Sequence, residues 1–249
     1  MTPSLPTRAL AAAVALLTFG ARAASELQPQ VFELPYTALE GRAKRIIVQV
    51  RLNERVTAPM ALDTGAPGTI LSHKLAEAIG VFSRDQGRLM VEARGIGGGT
   101  PAIRTIIDTV ALGAAVEHFV PVTITESMSS AFDGLIGMDV MSQYAMTVDS
   151  KRSVVILKQQ LSSEEAPGGH SESWWRDNFA EFRGLRDAWS AYRERLAQEM
   201  RDSTESAGNQ HDALVNRRAL AELQYQEAEK LLSRLDRYAS EYAVPRHWR

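Results

Sequence analysis

The hydrophobic pattern of this chain changes its period once, and that change divides the chain into two kinds of structure. Between residues 31 and 157, apolar and β-branched residues occur in short runs separated by turns, which is typical of strands. One short helix is predicted at 72–79, with Ser72 as its N-terminal cap and Gly80 at its end. The sequence therefore predicts a mainly β domain over 31–157. Its clearest strand-like runs are 45–52, 102–107, 119–124 and 154–157.

Beyond the β domain, the spacing of the apolar residues becomes helical. Residues 158–173 have the composition of a linker, and residues 174–243 are predicted to form a helical hairpin. We expect its apolar faces to pack on each other or on the β domain; a partner-binding or dimerising face is the alternative. The first helix carries the stripe Trp175, Phe179, Phe182, Arg186, Trp189, Tyr192 and Leu196. The second has the spacing of a coiled-coil seam at Ala221, Tyr225, Ala228, Leu232, Leu235, Ala239 and Tyr242.

Residues 1–23 have the pattern of a secretory signal peptide. Arg8 precedes an apolar run, and Ala21-Arg22-Ala23 offers a cleavage site between small residues. The apolar run is shorter than the ~20 residues that a membrane span needs, so we expect cleavage near Ala23 and no stable membrane span afterwards. The expected location is the periplasm or the secreted fraction. An uncleaved N-terminus that dips into the membrane is the alternative.

Composition excludes several classes of function. The chain has no Cys, which removes thiol catalysis and disulfides. Its formal net charge is −2 with both signs spread along the sequence, which disfavours nucleic-acid binding. The His residues lack the spacing of a metal site, and no helical pattern follows the glycine-rich segment as a dinucleotide-binding turn requires. We therefore predict no metal and no other cofactor.

The segment most informative about function is Asp63-Thr64-Gly65-Ala66. It follows apolar residues, so the acid is expected at the end of a strand. A carboxylate in such a place is costly to bury unless it is compensated, and Gly65 lets the backbone turn tightly beside it. The triplet is a weak signal alone, and it gains weight from two later segments of the chain.

These two segments come after the acid in order. Gly95-Ile96-Gly97-Gly98-Gly99 is a glycine-dense turn between strand-like runs, suited to a hairpin that closes over a bound peptide. In Leu135-Ile136-Gly137, two hydrophobic residues precede a glycine.

In this order, the three segments resemble the retropepsin-like, single-lobe aspartic proteases over about residues 31–157. The resemblance implies that Asp63 is the catalytic carboxylate, that the Thr64 hydroxyl bonds across a dimer axis, and that the Gly65 backbone lies near the substrate. It also implies a set of substrate-binding residues, which are Ala66, Ile96, Gly97, Gly98, Gly99, Leu135, Ile136 and Gly137. The last three of them would form a loop beneath the active-site turn.

One chain supplies one such carboxylate, whereas the chemistry needs two that share a proton. The resemblance therefore implies a homodimer in which Asp63 meets its symmetry mate. The predicted fold class is a mainly β, retropepsin-like barrel lobe followed by a C-terminal α-helical hairpin. The predicted function is an exported aspartic endopeptidase with a polypeptide substrate.

Pro67 and Met138 depart from the retroviral pattern, in which an acidic residue and an Arg stand at these places and support each other as an ion pair. Asp139 or Asp133 is a candidate for replacing that support, although Asp133-Gly134 has the composition of a simple turn. Two alternative functions remain open. One is a catalytically weak peptide-binding or dimerisation module whose helical tail binds a partner, and the other is a structural protein whose helices carry the function.

Overall fold

The computed structural model describes residues 29–39, 45–82, 87–95, 98–126, 129–160, 166–202 and 209–249; the predicted signal peptide lies outside them. The strands are β1 (Val31–Leu39), β2 (Arg45–Leu52), β3 (Val56–Leu62), β4 (Thr69–Ser72), β5 (Leu89–Gly95), β6 (Gly98–Leu112), β7 (Ala115–Thr125), β8 (Gly134–Ile136), β9 (Tyr144–Asp149) and β10 (Val154–Gln159). The helices are α1 (His73–Ala78), α2 (Met138–Met141), α3 (Glu172–Asp202) and α4 (Asn209–Glu241), with 3-10 turns at Pro167–Gly169 and Arg246–Trp248.

The elements of the front half form where the sequence predicts them. The predicted strand-like runs lie in β2, β6, β7 and β10. The predicted short helix is α1, whose N-terminal cap is Ser72, and the Ser72 hydroxyl accepts a hydrogen bond from the Leu75 backbone N–H at 3.2 Å. The helix ends before Gly80, which adopts a positive φ of 79° that a residue with a Cβ rarely takes.

The strands of the described residues join one sheet in the order β5-β6-β7-β4-β8-β3-β2-β1-β10-β9. A further antiparallel pairing of β6 with β2 curls this sheet back on itself. The β3–β8 and β4–β7 pairs are parallel, whereas β4 and β8 are antiparallel. The curled sheet encloses an aliphatic core in which Val50, Leu52 and Met60 are fully buried. Strands β1–β10 with α1 and α2 constitute the β lobe.

The helical hairpin packs on the β lobe as well as on itself. Trp175, Phe179 and Phe182 of α3 share a core with Leu89 and Phe119 of the β lobe. The same core contains Ala228, Leu231 and Leu235 of α4. Large aromatic side chains bury more apolar area than any other residues, so this shared core holds the helices on the lobe.

Helix α4 also covers the free edge of β5, which is the end strand of the sheet. The backbone N–H of Met90 donates to Gln224 Oε1 at 2.7 Å, and the N–H of Arg88 donates to Glu227 Oε2. Edge strands expose unpaired backbone donors, and here buried side chains of a helix accept from two of them.

The predicted seam of the second helix is correct at four positions and wrong at its end. Ala221, Ala228, Leu235 and Ala239 are buried, but Tyr242 is 46% exposed. Leu231, outside the predicted seam, is fully buried. Leu231 is buried because α4 packs against both α3 and the β lobe, so its buried face is wider than a two-helix seam. Tyr242 lies beyond the end of α4 at Glu241, where the helical spacing stops. No helix among the described residues is long and apolar enough to span a membrane.

A buried histidine stands where the hairpin joins the lobe. The His170 ring stacks on Trp174 with centroids 3.6 Å apart, and its Nε2 lies 2.8 Å from the His118 carbonyl oxygen, to which it donates. Its Nδ1 is buried with no partner among the described residues. Burial lowers the pKa of His170 to about 4, because the charged ring has lost its water.

We expect His170 to make the protein less stable on acidification. Its folded-state pKa lies below the unfolded value, so the unfolded state binds more protons and stability falls as the pH drops from about 6.5 towards 4. Between pH 7 and pH 5 this contributes about 2 kcal/mol. Urea unfolding of the wild-type chain and of His170→Gln at both pH values measures it, since Gln stays neutral.

The His170→Gln variant is the necessary reference because the buried Glu117 changes the stability with pH in the opposite direction. Burial raises the pKa of Glu117 to about 7, so its contribution to stability grows as the pH falls. A stability difference between wild type and His170→Gln that stays constant from pH 7 to pH 5 would contradict the prediction.

Candidate active site

The acid predicted to be catalytic stands at the end of a buried strand. Met60 and Ala61 of β3 are fully buried, and Asp63 follows the last residue of that strand. Because β3 runs parallel to β8, the two strands end side by side, and the Asp63 backbone N–H donates to the Ile136 carbonyl oxygen at 3.0 Å. The backbone of the acid is thereby fixed to the second strand.

The carboxylate itself is held by its own turn. The Gly65 backbone N–H donates to Asp63 Oδ1 at 2.9 Å, and the Ala66 N–H donates to the Asp63 carbonyl oxygen at 3.1 Å. A Cβ at Gly65 would lie 3.2 Å from Oδ1, which is closer than a side chain normally approaches. Asp63 is half-buried, whereas Thr64 and Gly65 are exposed. The acid therefore has one oriented oxygen and one face open to solvent.

The loop after β8 clamps the acid-bearing turn from beneath. The Met138 N–H donates to the Ala66 carbonyl oxygen at 2.9 Å, and the Asp139 N–H donates to that of Pro67 at 3.1 Å. At the crossing, a Cβ on Gly137 would lie 2.5 Å from the carbonyl carbon and oxygen of Gly68. Only a glycine at position 137 lets the two backbones come this close. These contacts, together with the bond from Asp63 N–H to Ile136, form the backbone clamp.

The two hydrophobic residues before Gly137 play different parts. Leu135 is half-buried and packs against Ile47, Ala61 and Phe132. Ile136 is fully buried in the core of the β lobe, so its contribution to the site is the carbonyl that holds Asp63.

The predicted flexible hairpin is formed by β5 and β6. Gly95 pairs with Gly98, so the connection is 96–97, and the predicted residues Ile96 and Gly97 lie outside the described part of the chain. Gly98 has a φ of 108°, which favours glycine, and a Cβ there would meet nothing within 4 Å. Gly98 and Gly99 are both exposed.

Asp139 supports the site in a way that the sequence only partly indicates. Its Oδ2 accepts from the Thr69 backbone N–H at 2.9 Å, and its Oδ1 accepts from the Thr69 hydroxyl at 3.0 Å. Burial raises the pKa of Asp139, which the bonds from Thr69 partly offset. Asp139 thus ties α2 to the start of β4 and does not contact Asp63 through any of these bonds. Asp133 uses its backbone, since its N–H donates to the Pro59 carbonyl oxygen at 2.8 Å.

A cavity of about 820 Å³ opens beside the acid-bearing turn. Pro67 and Gly68 of the turn form one side, residues 91–93 of β5 form another, and α3 forms a third. The sequence gives no sign that the helix reaches the site, because the residues that line the cavity lie on the flank of its predicted apolar stripe. From α3 these residues are Trp174, Asp177, Asn178, Glu181 and Leu185. In the described part of the chain no group of three or more His, Cys, Asp or Glu residues is arranged to hold a metal ion.

Comparison with known proteins bears on this same region. Residues 48–140 match the sequence model of a family described as aspartyl protease. The match is less than half of the chain, but it runs from β2 into α2 and so contains the acid, the β5–β6 hairpin and Gly137. A search of curated proteins finds no match.

Solved structures similar to the chain include two proteases and a protease-like domain. A retropepsin-like aspartic protease from Rickettsia conorii has 18% identity and a TM-score of 0.41, over 53% of this chain and 93% of that one. The EIAV protease complexed with the inhibitor HBY-793 has 17% identity and a TM-score of 0.33, over 42% and 91%. The retroviral protease-like domain of Ddi1 from Leishmania major has 21% identity and a TM-score of 0.30, over 49% and 97%.

The predicted resemblance to retropepsin-like, single-lobe aspartic proteases is therefore confirmed for the matched segment. The predicted fold class is confirmed as well, since a mainly β lobe is followed by the α3–α4 hairpin. The structure brings Asp63, Gly65, Ala66, Ile136 and Gly137 together through the backbone clamp.

We expect Gly137→Ala to destabilise the protein by about 1–3 kcal/mol, because the new Cβ overlaps the Gly68 backbone. Gly68→Ala is the matched control, since a Cβ at position 68 would meet only Asp139 Oδ2 at 3.8 Å, an ordinary contact. Urea denaturation of the two variants and the wild type measures the difference. Equal midpoints for both variants would show that the crossing is looser than described.

Proposed function

We propose that this protein is an aspartic endopeptidase that cleaves extended polypeptides as a homodimer, after export and removal of its signal peptide near Ala23. The observation that carries the proposal is the setting of Asp63. Its carboxylate is half-exposed at a strand end, one of its oxygens is oriented by Gly65 N–H, and its turn lies in the segment that matches aspartyl proteases.

The reaction needs two neighbouring carboxylates that share one proton. The ionised Asp63 removes a proton from water, and the oxygen of that water attacks the peptide carbonyl carbon. The protonated Asp63 of the second subunit donates its proton to the carbonyl oxygen. The tetrahedral intermediate then collapses, the C–N bond breaks, and the amine leaves with a proton from the dyad. Two carboxylates this close titrate as a pair, so we expect a bell-shaped pH profile on the acidic side.

Two features support a homodimer. Thr64, next to the acid, is exposed in the single chain. This is expected of a hydroxyl that bonds across a subunit axis, because its partner belongs to the other subunit. Strand β9 is the other end strand of the sheet, and its Val148 is 41% exposed. An end strand presents unpaired N–H and C=O groups that a second copy can pair with.

The β5–β6 hairpin supports an extended substrate. Gly98 and Gly99 of this hairpin are exposed and have no side chain of their own that would keep a peptide backbone away. A peptide in extended conformation can pair with an exposed strand of such a hairpin as an added strand. Main-chain hydrogen bonds then give affinity, and pockets for alternate side chains give specificity.

One observation favours the second candidate, a catalytically weak module that binds peptides or dimerises. Pro67 and Met138 replace the ion pair that supports the acid in the retroviral pattern, and Asp139 bonds to Thr69 instead. Support of the turn is therefore kept, but by contacts of a different kind. The same experiment separates the two candidates.

Replacing Asp63 with Asn is expected to lower the rate of peptide cleavage about 10²- to 10⁴-fold, because the variant has lost the general base and the shared proton. The assay digests denatured protein with the purified chain from pH 3 to pH 7. Circular dichroism and sedimentation confirm that the variant keeps its fold and its oligomeric state.

The matched control is Asp212→Asn, which removes an exposed carboxylate in the first turn of α4. This variant should cleave at the wild-type rate. Equal cleavage, or equal lack of it, by wild type and Asp63→Asn would remove the endopeptidase proposal in favour of the binding module.

A further inference from the structure

The cavity beside the acid-bearing turn has walls from both halves of the chain. Pro67, Gly68 and Asp139 of the β lobe form the side next to Asp63. Val91 of β5 lines the side under the β5–β6 hairpin, and helix α3 closes the cavity opposite them. Its volume of about 820 Å³ falls within the range of roughly 300–1,000 Å³ that is usual for ligand pockets.

The residues that α3 contributes lie on one face of the helix. Trp174, Asp177, Glu181 and Leu185 are spaced by three or four positions, and residues at this spacing stack along one side of an α-helix. This face is rotated away from the fully buried Trp175 and Phe182, which hold the helix on the lobe. Trp174 and Leu185 also pack in the core that holds the helix on the lobe, so Asp177 and Glu181 are the members of this face that lie outside that core.

A bidentate ion pair fixes this wall relative to the β lobe. Arg104 of β6 donates from Nε to Glu181 Oε1 at 2.8 Å and from Nη2 to Glu181 Oε2 at 2.9 Å. Its Nη1 also donates to the Thr123 hydroxyl at 3.3 Å. The Arg104 side chain is only 14% exposed, whereas that of Glu181 is 39% exposed, so water reaches the carboxylate side of the pair.

The wall under the hairpin is fixed in a similar way. Gln224 and Glu227 of α4 accept from the backbone N–H groups of Met90 and Arg88, just before the residues of β5 that line the cavity. Both accepting side chains are buried. The cavity is thus held open by contacts from each of the two helices.

The charges of the cavity favour a cation. Arg104 is the basic residue among its lining residues, and Glu181 neutralises it. Asp177 is exposed and has no hydrogen-bond or ion-pair partner among the described residues. A carboxylate that stands unpaired at the wall of a largely apolar pocket attracts an ammonium or guanidinium group whose aliphatic stem can lie along the apolar surface.

We infer that helix α3 is the outer wall of the peptide cleft and that the cavity is a subsite for a Lys or Arg side chain, which Asp177 selects. The inference rests on the proposed function for its peptide ligand. In a homodimer the two-fold axis creates the same subsite on each side of the scissile bond, so a basic side chain is preferred at positions related by that symmetry.

Peptide binding by the full-length Asp63→Asn protein tests the inference without requiring catalysis. The probes are fluorescein-labelled extended decapeptides that differ only in carrying Lys, Gln or Glu at each position in turn, and fluorescence anisotropy gives Kd. Two charge reversals are compared in this background, Asp177→Lys and the control Glu194→Lys. Glu194 is an exposed acid of the same helix and does not line the cavity.

The expected result is a preference for Lys over Gln and Glu at one position or at two symmetry-related positions. Asp177→Lys should raise the Kd of the Lys peptide about fivefold or more and leave that of the Gln peptide nearly unchanged. Glu194→Lys should change neither. The inference would be overturned if the Lys peptide bound the Asp177→Lys and Glu194→Lys variants equally well, or if it bound no better than the Glu peptide.

Catalysis by the wild-type chain distinguishes this inference from the proposed function. If the Asp63→Asn protein binds basic peptides through Asp177 but the wild-type chain cleaves none of them, the subsite stands and the hydrolase proposal fails. If the wild type cleaves peptides with no dependence on Asp177, the hydrolase stands and the subsite fails. Absence of both binding and cleavage would remove both.

Discussion

The backbone clamp between the acid-bearing turn and the loop after β8 is the contact on which the rest of the site depends. Three hydrogen bonds join the two segments, from Asp63 N–H to Ile136, from Met138 N–H to Ala66 and from Asp139 N–H to Pro67. These bonds form between main-chain groups, so they need a close approach of two backbones, which Gly137 allows. The Asp63 carboxylate can be oriented at a strand end while only half-buried because its turn is held from beneath by groups that carry no charge.

The helical hairpin belongs to the same folded unit as the β lobe. The aromatic side chains of α3 and the aliphatic residues of α4 share a core with β5, β6 and β7. Helix α4 also accepts hydrogen bonds from the edge of β5, where a neighbouring strand would otherwise be expected. The strand that leads into the β5–β6 hairpin is therefore anchored at its base, while Gly98 and Gly99 on the far side of the hairpin are exposed. This arrangement connects the helices to the part of the lobe that would cover a substrate.

Local patterns in the sequence predicted the fold class, helix α1 with its Ser72 cap, and the order of acid, hairpin and Gly137, because each depends on residues close together in the chain. Contacts between distant residues were less accessible. The bonds from Thr69 to Asp139 join positions 70 residues apart, and no spacing rule indicates them. The seam of α4 missed Leu231, since a heptad pattern assumes one partner helix and α4 has two partners. It was wrong at Tyr242 because the helix ends at Glu241. The cavity wall on α3 was also missed, because the sequence does not show which distant part of the chain faces the polar side of a helix.

The central claim is that each subunit supplies one Asp63 carboxylate and that catalysis needs the pair. Mixing the wild-type chain with the Asp63→Asn chain and allowing the subunits to exchange tests this claim most directly. If activity resides in the paired site, cleavage per wild-type subunit falls about twofold at a one-to-one ratio, because half of those subunits then face an inactive partner. Cleavage per wild-type subunit that stays constant at every ratio would show that a single chain is sufficient and would contradict the account.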